Sequence, residues 1–92
     1  MDSIQAVEPG RPEPGHHLVE ITVNERPVTV EGPRVRGLQI KEAAIAQGVP
    51  IELDFVLSEE LEQGRTKIIG DPDVVTVTEH SRFDAVAPDD NS

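Results

Sequence analysis

One stretch of this sequence has the composition of a helix, and it lies between segments whose apolar residues alternate with polar ones. Gly37 to Gln47 is rich in Ala, Leu, Gln, Lys and Glu, which are good helix formers, and Gly48 and Pro50 end it. A chain of 92 residues with one helix must bury that helix against strands. The pattern therefore predicts a single small domain that combines one helix with a sheet.

The segment before the helix is predicted to be a hairpin. From Leu18 to Val23 apolar and polar residues alternate strictly, which indicates a half-buried strand. We expect Asn24 to Pro27 to form the turn and Val28 to Glu31 to form a second strand. Gly32 and Pro33 end the hairpin, and Arg34 to Arg36 lead into the helix.

Further strand segments are predicted after the helix. Alternation of apolar residues indicates a strand from Ile51 to Leu57, and Ser58 to Gly64 forms an acidic connection. Arg65 to Ile69 is a short strand, Val74 to Thr78 is β-branched and apolar, and Arg82 to Ala87 alternates again. The order predicts an α+β fold of the β-grasp type, with a mixed four- to five-stranded sheet packed on one helix.

The two ends of the chain differ from this domain, which we place at residues 18–87. Residues 1–17 hold three Pro and two Gly with few large apolar side chains, so we expect a disordered leader. Residues 88–92 are acidic and are predicted to form a flexible C-terminal tail.

Composition excludes several classes of function. A formal net charge of -10 disfavours nucleic acids and anionic membranes as partners, and the absence of Cys removes thiol chemistry. His80, Ser81 and Asp84 do not make a catalytic triad, because alternation along a strand puts His80 and Ser81 on opposite faces. We expect no enzyme activity, no cofactor and no metal site. No apolar run approaches the roughly 20 residues of a transmembrane helix, so we expect a cytoplasmic protein.

Several short segments resemble known families. Ile21 to Val28 and Glu62 to Thr66, in this layout, are similar to ubiquitin. A closer resemblance is to the bacterial multiubiquitin-domain family, and it covers Leu18 to Ala87. The segments that carry it are Gly37-Leu38-Gln39-Ile40, Val49-Pro50, Val74-Val75 and His80-Ser81-Arg82-Phe83.

This resemblance implies a function and a set of partners. Members of the family are encoded beside an adenylating activating enzyme, a conjugating enzyme and a zinc metallopeptidase of the JAB type. The chain is thus expected to be a protein modifier in a bacterial ubiquitination-like conjugation pathway, in anti-phage defence. The activating enzyme would supply ATP and Mg²⁺.

The C-terminal segment departs from the pattern of ubiquitin-like modifiers, which end in Gly-Gly. Here the last glycine is Gly70. The tail expected to serve activation or processing is Ala85, Val86, Ala87, Pro88, Asp89, Asp90, Asn91 and Ser92. Three routes stay open: trimming after Ala87 to expose a non-Gly end, activation directly at Ser92, or no conjugation.

Surface residues offer further candidates. On a helical projection Ile40, Ala43 and Ala44 form the core face, whereas Leu38 and Ile45 lie nearly opposite. Leu38 and Ile45 are either covered by loops or form a patch for a partner or for self-association.

The possible acceptor lysines for an isopeptide bond are Lys41 and Lys67. The alternative function is a non-covalent β-grasp module that binds partners or forms homo-oligomers. A sulfur-carrier role would need the missing Gly-Gly.

Overall fold

The computed structural model describes residues 17–88. The predicted leader lies outside the described residues except for His17, and so does the end of the predicted tail, Asp89 to Ser92. A short 3₁₀ turn at Glu62–Gly64 joins two of the strands. The other elements, in chain order, are β1 (His17–Val23), β2 (Arg26–Gly32), β3 (Arg34–Arg36), α1 (Gly37–Ala46), β4 (Val56–Glu60), β5 (Thr66–Ile69), β6 (Val74–Thr76) and β7 (Arg82–Val86).

The main sheet has five strands in the order β2-β1-β7-β4-β5, and β3 and β6 form a separate two-stranded sheet. β1 and β7 run parallel at the centre of the main sheet, and the other pairs are antiparallel. Apolar side chains on one face of this sheet pack on α1. A mixed sheet of this order on a single helix is the β-grasp fold, so the predicted fold class is confirmed.

The core consists of the apolar residues that alternate along the strands, together with one face of α1. Ile40 and Ala44 are fully buried, and Ala43 packs against the core, so the predicted core face of α1 is confirmed. The α1 helix ends as expected, because Gly48 takes a positive φ of 99° that other residues rarely adopt. The strand residues of the core are Val19, Ile21, Val23, Val28, Val30, Val35, Leu57, Ile69, Val75, Phe83 and Ala85.

The hairpin is confirmed, but its turn is shorter than predicted. Only Asn24 and Glu25 form the turn, with positive φ values of 52° and 67°. Two such residues match the right-handed twist of the strands that they join. Arg26 and Pro27 already belong to β2, where Pro27 pairs with Thr22. Proline is tolerated there because β2 is an edge strand.

The predicted strand from Ile51 to Leu57 is wrong over most of its length. Phe55 donates its N–H to the carbonyl of Glu52 at 3.0 Å, which makes a turn. The carbonyls of Leu53 and Phe55 accept hydrogen bonds from the Lys41 ammonium, at 2.6 and 3.0 Å, and not from a neighbouring strand. Of the alternating apolar residues, Ile51 and Leu57 are buried, whereas Leu53 is 47% exposed. The alternation could not show that a lysine side chain, and not a strand, binds the backbone of this segment.

Two strands occupy residues that were predicted to be connections. The β4 strand takes Ser58 to Glu60 from the expected acidic loop and pairs them with β5 and β7. The β3 strand takes Arg34 to Arg36, which pair antiparallel with β6. Both segments are polar at most positions and need a long-range partner to become strands.

The start of α1 rests on the turn between β5 and β6. The N–H groups of Gly37 and Leu38 donate to the carbonyls of Asp73 and Asp71, at 2.9 and 3.1 Å. These are two of the helix N–H groups that have no partner within the helix. Gly70 lies so close to Gly37 that a Cβ on Gly37 would overlap the Gly70 carbonyl. Only glycine fits at the first position of this helix.

We therefore predict that Gly37→Ala lowers the free energy of unfolding by about 1–3 kcal/mol, as overpacked sites do. Alanine is the better helix former, so a loss of stability isolates the steric overlap. Chemical denaturation measures it. Glu42→Ala, at an exposed position of α1, is the control and should change stability by less than about 0.5 kcal/mol. Equal stability of Gly37→Ala and wild type would contradict the close approach.

Candidate functional site

β7 is the last strand of the described residues, and it ends at Val86. β7 lies between β1 and β4. Its parallel pairing with β1 ends where Val23 meets Phe83, whereas its pairing with β4 continues as far as Val86, opposite Val56. After Phe83, within residues 17–88, one side of this central strand therefore has no strand beside it.

The side chain of Asn24 takes the place of the missing strand. The Ala85 N–H donates to Asn24 Oδ1 at 2.7 Å, and Asn24 Nδ2 donates to the Ala85 carbonyl at 3.0 Å. The Asn24 backbone N–H also donates to the Phe83 carbonyl at 3.0 Å. A side-chain amide has the same donor and acceptor as a peptide group, so Asn24 extends the ladder of β1 by one residue. We call this contact the Asn24 clamp.

The clamp corrects the predicted extent of the C-terminal tail. Ala85 is 3% exposed and Val86 is paired with β4, so both belong to the sheet. Ala87 and Pro88 follow the last strand and are the first residues outside it. We call them the C-terminal exit. The remaining predicted tail residues, from Asp89 onward, lie outside the described residues.

The surroundings of the C-terminal exit are acidic. A shallow depression beside it is lined by Glu25, Asp84 and Ser58, among others. Glu25 is exposed and Asp84 is half-buried. With a chain charge of -10, this surface favours a positively charged partner groove.

An apolar cluster lies on the face of the sheet that points away from α1. Val56 and Val86 stand directly opposite each other on β4 and β7, and they are 38% and 58% exposed. Ile68 on β5, opposite Ser58, is 70% exposed. We call Val56, Ile68 and Val86 the outer-face cluster. Its place beside the C-terminal exit makes it a candidate contact for a partner that handles the tail.

Comparison with known families agrees with this architecture. The profile of the multiubiquitin family matches residues 19–89, which is most of the chain. This chain belongs to the multiubiquitin family. Neither the search of curated proteins nor the search of solved structures returned a match. The resemblance found in the sequence is thus confirmed, and the matched range contains nearly all of this multiubiquitin domain, from β1 to the C-terminal exit.

The two residues of the predicted patch on α1 differ in exposure. Leu38 is half-buried, and its N–H is held by Asp71. Ile45 is 38% exposed. Leu38 therefore fits the first alternative, cover by a loop, in part. Ile45 is exposed and stays available for contact.

The two candidate acceptor lysines occupy very different environments in the multiubiquitin domain. Lys41 is 4% exposed, and its Nζ lies 2.7 Å from Asp71 Oδ1 as well as beside the two carbonyls described above. This placement corrects the expectation that Lys41 is a surface acceptor. Lys67 lies on β5 and is exposed.

Two features are absent from residues 17–88, namely a cluster of metal ligands and a membrane-spanning helix. No three His, Cys, Asp or Glu side chains in this range come together as metal ligands. Within the same range no helix has the length and apolarity needed to cross a bilayer.

Sequence reasoning missed the Asn24 clamp and the outer-face cluster. Asn24 looked like an ordinary turn residue, and its partner Ala85 is 61 positions away. Val56 and Val86 alternate outward in sequence, but only the register of β4 on β7 shows that they meet. The sequence shows the turn residue Asn24 and the outward valines, but it does not show which distant residues they meet.

We predict that Asn24→Gly weakens the end of β7. Glycine keeps the positive φ of the turn and removes only the side-chain amide, so two neutral hydrogen bonds are lost, worth about 1–2 kcal/mol together. The amide hydrogen of Ala85 should exchange faster, as measured by NMR.

Glu25→Gly is the matched control. It relieves the other positive φ of the same turn and removes no clamp, so stability should change by less than about 0.5 kcal/mol. If both glycine variants lose the same stability, the clamp contributes nothing.

Proposed function

We propose that this multiubiquitin domain is a ubiquitin-like protein modifier of a bacterial conjugation pathway. In this proposal an adenylating enzyme activates its C-terminal carboxyl group, and a conjugating enzyme then transfers it. The domain acts as the substrate of these enzymes in the cytoplasm and has no enzymatic activity of its own. Anti-phage defence is the process that we propose the pathway serves.

The observation that carries the proposal is the way in which the chain leaves the sheet. The Asn24 clamp and β4 hold β7 as far as Val86, and the C-terminal exit begins at the next residue. A modifier needs a rigid body that enzymes can grip and an end that can enter an active site. The change at Val86 from a paired strand to Ala87 and Pro88 provides both within two residues.

The surface beside the exit supports the same role. An enzyme that binds the end of the chain must also contact the body next to it, and the outer-face cluster supplies apolar area there. The acidic residues around the exit, Glu25 and Asp84, would steer the domain toward a basic groove.

Trimming explains how a chain without Gly-Gly could be activated. We propose that a JAB-type metallopeptidase cleaves within the segment after Ala87 and leaves a new carboxylate. Ala87 has a small side chain, and Ala87 and Pro88 both lie outside β7, so cleavage between them breaks no ladder hydrogen bond of that strand. Pro88 would otherwise stiffen the segment next to the adenylating site.

Our first prediction for this function concerns activation. A chain that ends at Ala87 should form an ATP-dependent covalent adduct with the candidate activating enzyme in the absence of peptidase. The full chain should do so only after trimming. Intact mass spectrometry and gel shift measure the adduct. Deletion after Phe83 is unsuitable as a control, because it removes three residues of the central strand β7.

The matched control is the Ala87-terminated chain with its C-terminal carboxyl group amidated. It keeps every residue of the domain and lacks only the group that ATP activates. An adduct of the amidated form, or no adduct of either free-acid form, would contradict the proposal.

A second prediction concerns trimming itself. Incubation of the full chain with the candidate metallopeptidase should reduce its mass by the residues that follow the cleavage site, without a loss of folded structure. A catalytically inactive peptidase is the control. An unchanged mass with active peptidase would contradict trimming and would leave direct activation at Ser92 as the route to test with the full chain.

A non-covalent module is the second candidate, and the outer-face cluster favours it. Three exposed apolar side chains on one face of the sheet can also join two copies of the domain. Absence of any adduct together with concentration-dependent assembly in sedimentation experiments would favour this function. Ile68→Lys should then abolish the assembly, because it places a charge inside the cluster.

A further inference from the structure

The chain has two lysines, and the fold makes only one of them available as a nucleophile. An amine attacks a carbonyl group through its nitrogen lone pair. The amine must therefore be neutral, and its nitrogen must be accessible. Lys41 directs its ammonium at three oxygen atoms, namely the Leu53 carbonyl at 2.6 Å, the Phe55 carbonyl at 3.0 Å and Asp71 Oδ1 at 2.7 Å. An ammonium has three donors, and these acceptors match all of them. Attack by Lys41 would require local unfolding.

Lys67 lies in the opposite situation, on the strand at the far edge of the main sheet. Its side chain is exposed, and it stands opposite Glu59 of β4. Within residues 17–88 no hydrogen bond or ion pair engages the ammonium of Lys67. By contrast, Glu60 on the neighbouring strand β4 is paired with Arg82 of β7. The side chain is therefore free to turn toward an incoming group.

The backbone around Lys67 is open as well. The Arg65 carbonyl accepts the N–H of Leu61 at 2.7 Å, so it points toward the preceding strand. Backbone groups alternate along a strand, so those of Thr66 and Ile68 point away from β4, to the free edge. An extended segment can lie along this edge and form main-chain hydrogen bonds there.

The centre of the other edge, in β2, is already occupied. In β2 the N–H and carbonyl of Thr29 both bind the side-chain amide of Gln47, each at 2.8 Å. Pro27, two residues away, points in the same direction and has no N–H to offer. In the part of the chain that the structure describes, β5 is therefore the edge strand of the main sheet that offers free backbone donors and acceptors beside a lysine.

We propose that Lys67 is the acyl-acceptor site of this protein, and that the acyl donor is the activated C-terminal carboxyl group of a second copy of the chain. This donor rests on the function proposed above. The neutral Lys67 Nζ attacks the carbonyl carbon of the thioester or acyl adenylate. A C–N amide bond forms, the thiolate or AMP leaves, and the nitrogen loses its proton to solvent.

The first test measures amine reactivity and does not depend on any enzyme. The full chain is treated with the N-hydroxysuccinimide ester of acetic acid, and peptide mass spectrometry follows acetylation of each lysine. In the folded protein Lys67 should react at least about tenfold faster than Lys41, which is protected by the opening equilibrium of the fold. In denaturant the two rates should become equal. Equal rates in the folded protein would overturn the proposal.

The second test locates the bond in enzymatic conjugates. The full chain is incubated with the activating and conjugating enzymes, the peptidase and ATP, and the linkage is mapped by mass spectrometry. Linkage at Lys67, and its loss in Lys67→Arg, is the expected result. Linkage at Lys41 or at an α-amine instead would overturn the proposal. Arg26→Lys is the control for specificity, because it adds an exposed amine away from β5 and should not become the main linkage site.

Failure of the site and failure of the proposed function give different results. If no conjugate of any kind forms, the conjugation function is contradicted, and the acetylation rates alone decide whether Lys67 is the reactive amine. If conjugates form without Lys67, the modifier function stands and the assignment of Lys67 is wrong.

Discussion

The ammonium of Lys41 is the interaction on which the irregular half of this fold depends. It is a buried charge that joins α1 to the loop at residues 51–55, through the carbonyls of Leu53 and Phe55. It also joins α1 to the turn before β6, through Asp71. Hydrogen bonds from a charged donor are stronger than neutral ones, and removal of this donor would take a charged partner from the part-buried carbonyls of Leu53 and Phe55, whereas the side chain of Asp71 is half exposed to solvent. Within residues 17–88 neither loop has a strand beside it that could replace the lysine.

The turn before β6 also places the helix relative to the sheet. Asp71 and Asp73 both carry structural contacts. Their carbonyls accept the first N–H groups of α1, and Asp73 Oδ2 accepts the Gly70 N–H at 2.8 Å. Because β6 follows directly and pairs with β3, this turn fixes both the start of the helix and the small second sheet. One short polar segment thus organises the side of the molecule that the main sheet does not reach.

The sequence predicted those parts of the fold that depend on local pattern, such as the hairpin around Asn24 and the helix before Gly48. The segment 51–57 alternates in the same way but is mostly a loop, because its backbone binds Lys41 and not a strand. Some features of the candidate site could likewise be predicted from the sequence, and others could not. Scarcity of lysine and the lack of a terminal Gly-Gly are visible in the sequence, whereas the boundary between body and tail depends on a contact between Asn24 and Ala85 across 61 positions. Burial of Lys41 was equally hidden, since two of its acceptors are backbone carbonyls that any sequence would supply.

The side chains that hold this domain together are different from those that could react. Asn24, Lys41 and Gln47 are each committed to backbone groups, and in that role they close the end of β7, the irregular loops and the edge of β2. The exit at Ala87 and the amine of Lys67 lie outside these contacts, at the rim of the sheet. Reaction at either point therefore leaves the core contacts intact. The proposed modifier function needs this separation, because each chemical step must occur without loss of the folded surface that an enzyme would recognise.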